Sequence, residues 1–529
     1  MVVSASAIAS QAGRDVLAAG GNAIDAAIAT GLALAVTYPT AGNIGGGGFM
    51  VIRLPDGKAT TIDFREKAPA ASSPSMFVDS AGNYSAMRHH NTHVSVGVPG
   101  TVAGFALAHQ TYGKRDWKSL VEPAVKLAGE GFDVPEGLAG SLRGTRSMLA
   151  RYPASLAAYY KNGEPYAAGE RLRQLDLAAT LTRIRDQGRD GFYKGETARL
   201  IVEEMQRGGG LITVQDLSGY QAKERAAVTG TYRGYDIISM PPPSSGGVAM
   251  IEMLNILEGY DLRAAGHNST RYVHLVTESM RRAFRDRAQY IGDPDFVNPP
   301  VARLTSKSYA AELRTTIDEN RASVSRATEL VADYESDETT HYSVVDANGM
   351  AVSVTYTLEA GYGLGAVVTG AGFLLNNEMG DFNGKPGLTD STGLIGTAAN
   401  VARPGKRMLS SMTPAIVAKN GQLVAVTGSP GGRTIINTVL QVVLHIVDFN
   451  MPIDSAVAAA RFHHQWLPDR LSIEGDGVSP ETLKALEAMG HTARMGGRQG
   501  TAHSISVNAR GIRTGAPDKR DRDAGAAGH

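Results

Sequence analysis

The sequence predicts a layered α/β fold around an antiparallel sheet, and two features of its patterning carry that expectation. Through about residue 335, apolar side chains recur at helical spacing; from about His341 onward the chain turns to short alternating or β-branched runs with further helices between them. Runs of strands followed by runs of helices argue for stacked layers of sheet and helix. The 62 glycines are scattered through this patterning, not collected in low-complexity runs, so they mark tight turns in an ordered chain.

Each element has its own signal. Gly20-Gly21 closes one segment, and Asn22 suits the N-cap of a helix whose Ile24, Ile28, Gly31, Leu32 and Ala35 form one stripe for burial. Helical spacing returns over 117–130, 198–207, 248–257 and 272–290, broken by loops such as 241–247 with its three prolines and two glycines. Strands are expected over 342–346, 351–357 and 423–427, with a hairpin turn at Asp346-Ala347-Asn348-Gly349. Helices are expected near 434–449, 453–460 and 480–489, and the mixed-charge tail 518–529 reads as disordered. The longest nearly unbroken apolar run, 26–36, is far short of the roughly 18 residues a membrane span needs, and the chain as given has no leader pattern.

Composition excludes several functions. The 52 basic and 52 acidic side chains cancel and no arginine-rich block stands apart, so neither nucleic acid nor an anionic membrane is an expected partner. The absence of cysteine removes disulfides, thiolate metal sites and a cysteine nucleophile. His89-His90 with His93, and His463-His464, lack the acidic spacing of a metal motif, and no metal or other cofactor is expected. The glycine-rich stretches 42–48 and 361–365 do not open a dinucleotide-binding βαβ unit. Residues 426–434 depart from a phosphate loop, because Thr427 stands in place of its first glycine and Arg433 in place of its lysine.

The chemistry is concentrated between Glu338 and Gly432. An acidic stretch ending in Glu338 runs straight into Thr339-Thr340-His341-Tyr342-Ser343. Cleavage before Thr339 would give that residue both a hydroxyl nucleophile and an α-amino group, of pKa about 7.7 to 8.0, to serve as its base. The same threonines also suit ordinary strand positions, and spacing alone leaves both readings open. The hairpin sets Thr357 beside Thr339, where a second hydroxyl either orients the first or simply stabilises the sheet. In Gly428-Ser429-Pro430-Gly431-Gly432, the glycine pair either bares adjacent backbone N–H groups for a developing oxyanion or forms a turn feeding the next helix.

Read jointly, these residues resemble the γ-glutamyltransferase (γ-glutamyltranspeptidase, glutathione hydrolase) family of N-terminal nucleophile hydrolases. The likeness covers nearly the whole chain and includes Gly20 to Ala27, Gly45-Gly46-Gly47-Gly48-Phe49-Met50, Phe64-Arg65-Glu66-Lys67-Ala68-Pro69, the 241–247 loop, Leu374-Leu375-Asn376-Asn377-Glu378-Met379, Leu409-Ser410-Ser411-Met412 and Ser429-Pro430-Gly431-Gly432. It implies a four-layer αββα sandwich. It also implies a precursor cut between Glu338 and Thr339 into a helix-rich large subunit, 1–338, and a sheet-rich catalytic small subunit, 339–529, in one structural domain, with a periplasmic or secreted location.

By the same resemblance Thr339 is the nucleophile, Thr357 supports it and Gly431 with Gly432 forms the oxyanion hole. Arg65 with Ser410 and Ser411 takes the donor's α-carboxylate, and Asp381 takes its α-ammonium. Each role suits its chemistry, since a guanidinium fork matches carboxylate and an aspartate pairs with ammonium. Two departures stand out. Glu359 occupies the place of a usual Asn, so that with Glu378 and Asp381 it gathers three carboxylates around one ammonium, one of them protonated or turned away. The stretch 386–393 lacks the tyrosine usual in the bacterial lid. The implied substrates are glutathione and other γ-glutamyl amides, with water or amino acids as acceptors. One rival is a glutaryl or cephalosporin-type acylase on the same scaffold; another is an unprocessed, inactive binding protein.

Overall fold

Alternation along three neighbouring strands divides the interior into two cores. In Thr340–Val345, Ala351–Thr357 and Gly47–Arg53, the side chains of Tyr342, Val344, Val352, Val354, Tyr356, Met50 and Ile52 join one apolar cluster, while Val345, Ala351, Phe49 and Val51 join another. Successive residues of a strand point to opposite faces, so this sheet is covered on both sides. The structure, a computed structural model, describes residues 1–327, 339–388, 390–392, 396–475 and 477–529.

The first sheet has seven strands, in the spatial order Gly525–Ala527, Val2–Ser4, Thr340–Val345, Ala351–Thr357, Gly47–Arg53, Ala59–Asp63 and Lys223–Arg225, all antiparallel. The second has six, in the order Arg513–Ala516, Ser504–Val507, Gln422–Thr427, Ala415–Lys419, Tyr235–Ser239 and Val228–Tyr232. On the outer face of the first sheet lie Ala23–Thr37, Thr101–Tyr112 and Trp117–Glu130; Gly246–Leu257, Thr270–Tyr290 and Thr434–Val447 pack with the second. The result is the αββα sandwich that the resemblance implied.

Asn22 caps its helix as expected: its Oδ1 accepts from the Asp25 N–H at 3.0 Å, and Asp25 returns the bond to the Asn22 N–H at 3.0 Å. Burial extends beyond the expected stripe to every residue of Ala23–Thr37, because other helices close over the face away from the sheet. The helices expected at 434–449, 453–460 and 480–489 end earlier, as Thr434–Val447, Ile453–Ala458 and Pro480–Ala488.

Helices dominate the first 335 residues as expected, but one reading needs extending and one correcting. These residues also supply four of the seven strands in one sheet and two of the six in the other. Gly47–Arg53, buried on both faces, has no polar face to alternate with, and so lacks the usual strand signal. The tail 518–529 is ordered. Gly525–Ala527 pairs with Val2–Ser4, Asp518 accepts from Arg461 Nη2 at 2.7 Å, and Asp523 accepts from the N–H groups of Gly137 and Leu138 at 2.8 Å each. Asp518 and Asp523 thus meet partners remote in sequence. Among the described residues, no helix is long and apolar enough to cross a membrane.

Candidate active site

The hairpin register runs from Thr340 opposite Tyr356 to Val345 opposite Ala351, with Gly349 at φ +84° in the turn. It carries Thr339 alongside Thr357, whose Oγ1 accepts from Thr339 Oγ1 at 3.4 Å and from the Glu359 N–H at 2.9 Å. Thr357 is fixed from behind by Asn43, whose amide donates to the Thr357 carbonyl at 2.9 Å and whose Oδ1 accepts from Gly46 N–H at 2.9 Å. A Cβ on Gly46 would lie 2.0 Å from the Thr357 carbonyl oxygen, so only glycine lets the two strands meet there. Glu338, the other side of the expected cleavage site, lies outside the described residues.

A narrow cleft is lined by Arg65, Thr339, Thr357, Glu359, Glu378, Asp381, Ser410, Ser411, Met412, Gly432 and Ile435. Nearly every residue singled out from the sequence thus meets in one place, though they come from segments up to 370 positions apart. Gly431 faces a second, larger space on another side of Thr339, walled by Pro430, Thr434, Tyr38, Ser141, Arg498 and the 520–523 segment. The glycine turn begins the helix Thr434–Val447: Gly431 has φ +125°, Gly432 φ +52°, and Thr434 Oγ1 and N–H both donate to the Gly431 carbonyl, at 2.6 and 3.0 Å.

Arg65 is fully buried at the floor of the cleft. Its Nη1 donates to Glu378 and its Nη2 to Asp381; Nη2 also donates to the Leu409 carbonyl at 3.1 Å, Nε to the Met408 carbonyl at 3.4 Å, and Glu66 Oε2 lies 3.6 Å from Nη1. The guanidinium therefore ties the acidic turn Glu378–Asp381 to the segment leading into Ser410 and Ser411. Burial opposes its charge, but Glu378, Asp381 and Glu66 outweigh that and hold its pKa above the ordinary value. Burial also pushes Glu66 up to about 7 and Glu378 well above the carboxylate range, against the pull of Arg65. Three carboxylates crowded around one cation are thus easier to protonate than free ones.

Glu359 lines the same cleft, and its charge helps raise the Glu378 pKa. Its backbone has φ +78°, and its Oε1 stands 3.4 Å from His90 Nδ1. The three carboxylates share the cleft, Glu378 and Asp381 meeting Arg65 and Glu359 standing also beside His90. Behind the serines, Arg287 donates to Ser411 Oγ at 3.0 Å and to Ser245 Oγ at 2.8 Å, and Ser245 Oγ donates to the Ser410 carbonyl at 2.7 Å. Asn43, Glu66 and Arg287 escaped the residue-by-residue reading, and His90 entered it only as part of a histidine cluster. Glu66 had a signal, as the neighbour of Arg65; the others act through contacts that no local pattern announces.

The remaining histidines have separate partners. His89 Nε2 contacts the Met379 carbonyl at 3.2 Å, His93 lies 3.3 Å from Glu204, His463 pairs with Asn437 at 2.6 Å and His464 with Asp469 at 3.0 Å. His274, Glu278 and His491 cluster closely enough to suggest a metal. The chemistry is a hydrogen-bond chain instead: His274 Nε2 donates to the Asp318 carbonyl, His274 Nδ1 accepts from His491, and Glu278 is taken up by Arg281, Arg282 and the Ser323 N–H.

The family model described as gamma-glutamyltranspeptidase matches residues 9–528. The glutathione hydrolase proenzyme of Escherichia coli (strain K12) is 48% identical over 532 residues, covering 100% of this chain and 92% of that protein. That of Pseudomonas sp. (strain A14) is 47% identical over 509 residues, covering 96% and 88%. Among solved structures, the cephalosporin acylase from Bacillus halodurans superposes with a TM-score of 0.88 at 27% identity, over 100% of this chain and 95% of that one. With its αββα sandwich and with threonines, glycine turn and buried arginine converging on one cleft, the chain belongs to the γ-glutamyltranspeptidase family of N-terminal nucleophile hydrolases.

Proposed function

We propose that this enzyme cleaves γ-glutamyl amides, glutathione among them, with Thr339 as nucleophile after the precursor is cut between Glu338 and Thr339 into subunits 1–338 and 339–529. The observation that carries the reading is the convergence of Thr339, Thr357, Arg65, Asp381, Ser410 and Ser411 on one cleft. A γ-glutamyl donor is a zwitterion at its α-carbon, and the Arg65–Glu378–Asp381 cluster is a ready-made counterpart. Its α-carboxylate takes the guanidinium and Ser410 and Ser411, while its α-ammonium takes Asp381 and Glu378, so that the substrate inserts into an existing ion pair.

Thr339 Oγ then attacks the γ-carbonyl while its own α-amine accepts the hydroxyl proton, and Thr357 orients the attacking oxygen. The N–H groups of Gly431 and Gly432 receive the oxyanion. Collapse breaks the C–N bond, the departing amine takes the proton, and a γ-glutamyl ester remains on Thr339. Water or an amino-acid amine, entering from the larger space beside Gly431, resolves the ester. The test compares γ-glutamyl and glutaryl anilides on enzyme whose small fragment has been shown by mass to begin at Thr339. The reading expects strong preference for the γ-glutamyl donor; equal turnover of both would assign the protein to the acylases, and an uncut, inert chain would sink the catalytic reading.

A further inference from the structure

Thr339 borders two spaces, and only one of them is needed to hold the donor's α-carbon groups. On one side lies the cleft around Arg65; on another lies the larger space bounded by Pro430, Gly431, Arg498 and the 520–523 segment. An acyl group held at Arg65, with its carbonyl at Thr339, directs the nitrogen it loses away from the guanidinium and into that second space.

The walls of this space are held in place from behind. The 498–501 loop closes directly on the glycine turn: a Cβ on Gly431 would lie 3.2 Å from Gly500 Cα, and one on Gly500 would lie 2.8 Å from the Pro430 carbonyl oxygen. Gln499 N–H donates to Glu474 at 2.6 Å, and Thr501 N–H to Ser429 Oγ at 3.0 Å. The C-terminal tail is tied to the same acid, since Arg520 Nη2 donates to Glu474 at 2.6 Å. Arg498 joins loop to tail by donating to the Arg520 carbonyl.

The acids of the wall already have donors. Asp523 gives one oxygen each to the N–H groups of Gly137 and Leu138, Asp521 accepts from the Asp523 N–H at 3.3 Å, and Arg520 is shared between Glu474 and Asp518. Arg498 and Arg522 differ. Both are exposed, and among the described residues neither meets a carboxylate. The hydrogen-bonding capacity left open on this wall is therefore that of two guanidinium groups, whose paired N–H donors match the two oxygens of a carboxylate.

We infer that this space is the subsite for the amine partner, the leaving group first and the acceptor after it, and that Arg498 and Arg522 select amines bearing a carboxylate, such as amino acids and short peptides. The inference deepens the γ-glutamyl reading and rests on it for the donor. An exposed arginine–carboxylate pair contributes little by itself, so two of them favour the charged amine by about three- to tenfold.

The experiment compares γ-glutamyl-alanylglycine with its C-terminal amide, donors that differ only in the charge at the far end, on processed wild type, R498Q, R522Q and the double variant. Wild type should show kcat/KM about three- to tenfold higher for the free acid, each single variant a smaller preference and the double variant almost none. A loss of folded protein lowers both rates together and does not move their ratio. The preference should also shrink as salt rises from about 0.01 to 0.15 M, over which the Debye length falls from about 30 to 8 Å. In the transfer direction, alanylglycine should capture the γ-glutamyl ester at correspondingly lower concentration than its amide, and the double variant should lose that difference.

Equal kcat/KM for acid and amide in wild type, or the same preference in wild type and the double variant, would overturn the inference. Should glutaryl donors be turned over in place of γ-glutamyl ones, the donor reading would fall, while the acid-to-amide ratio measured with glutaryl-alanylglycine would still decide the subsite.

Discussion

At the scale of single residues, the cleft concentrates charge that burial makes costly. Arg65 holds together an acidic turn and the segment that bears Ser410 and Ser411, so its loss removes a structural tie and, on the proposed function, a substrate contact. Replacing a charge-assisted bond to a carboxylate costs about 1.5 to 3 kcal/mol, or roughly ten- to a hundredfold. Arg65→Ala should lower kcat/KM for γ-glutamyl anilide by that factor or more, and Arg65→Lys should not restore it, because an ammonium cannot span Glu378 and Asp381 as a fork does. An unaltered kcat/KM in the alanine variant would place the donor elsewhere. Thr339→Ala has no Oγ to attack the preceding carbonyl and should remain a single chain on a denaturing gel; efficient cutting by the purified variant would exclude self-processing. Thr357→Ala loses the acceptor that holds both Thr339 Oγ1 and the Glu359 N–H, and should lower kcat about tenfold or more with little change in KM.

At the scale of elements, the glycine turn and the C-terminal strand are the points where local conformation governs the site. Gly431 at φ +125° is in a region that side chains avoid, and a Cβ there would lie 2.4 Å from Thr434 Oγ1. Gly431→Ala should therefore cost about 1 to 3 kcal/mol in stability and, by rotating a proposed oxyanion donor, reduce kcat by a larger factor than KM. A variant with wild-type kcat would remove Gly431 from the catalytic account. Deleting 525–529 strips the edge strand from the seven-stranded sheet and uncovers Val2–Ser4, the neighbour of the strand that follows Thr339. The melting temperature should drop by a degree or more, a ΔΔG of about 1 kcal/mol being worth roughly 1 °C in a chain this size; no change would mean that the tail's pairing contributes nothing to the fold.

Over the whole molecule, buried histidines make stability depend on pH. Burial lowers His445 and His463 to about 3 and His491 and His503 to about 4, and neighbouring charges modify these values further. In the unfolded chain the same groups take up protons near pH 6.5. Folding therefore favours the neutral ring: this stability is complete above about pH 6.5 and is lost as pH falls toward about 4, by up to about 1.4 kcal/mol per pH unit for each histidine. The denaturant midpoint should be clearly lower at about pH 5 than at about pH 7.5; equal midpoints would show that these rings are protonated or exposed in the native state.

The sequence by itself determined the elements whose signals are local. Asn22 and Asp25 close a capping box over four residues, Asp346 to Gly349 force a hairpin, and that hairpin alone sets Thr357 beside Thr339, because register follows from the turn. The joint motifs also identified the αββα family and named most of the residues that line the cleft. Tertiary structure decided the rest. Whether Gly47–Arg53 is strand or buried helix is settled by the sheets on either side of it, and the order of the 518–529 tail by Arg461, Gly137 and Leu138, far away in sequence. The pairing of Glu378 and Asp381 with Arg65, and of Glu359 with His90, depends on distances between segments that the chain connects only through its fold. Electrostatic partners are chosen by proximity in space, and burial, which has no meaning until the layers close, determines how much each charge counts.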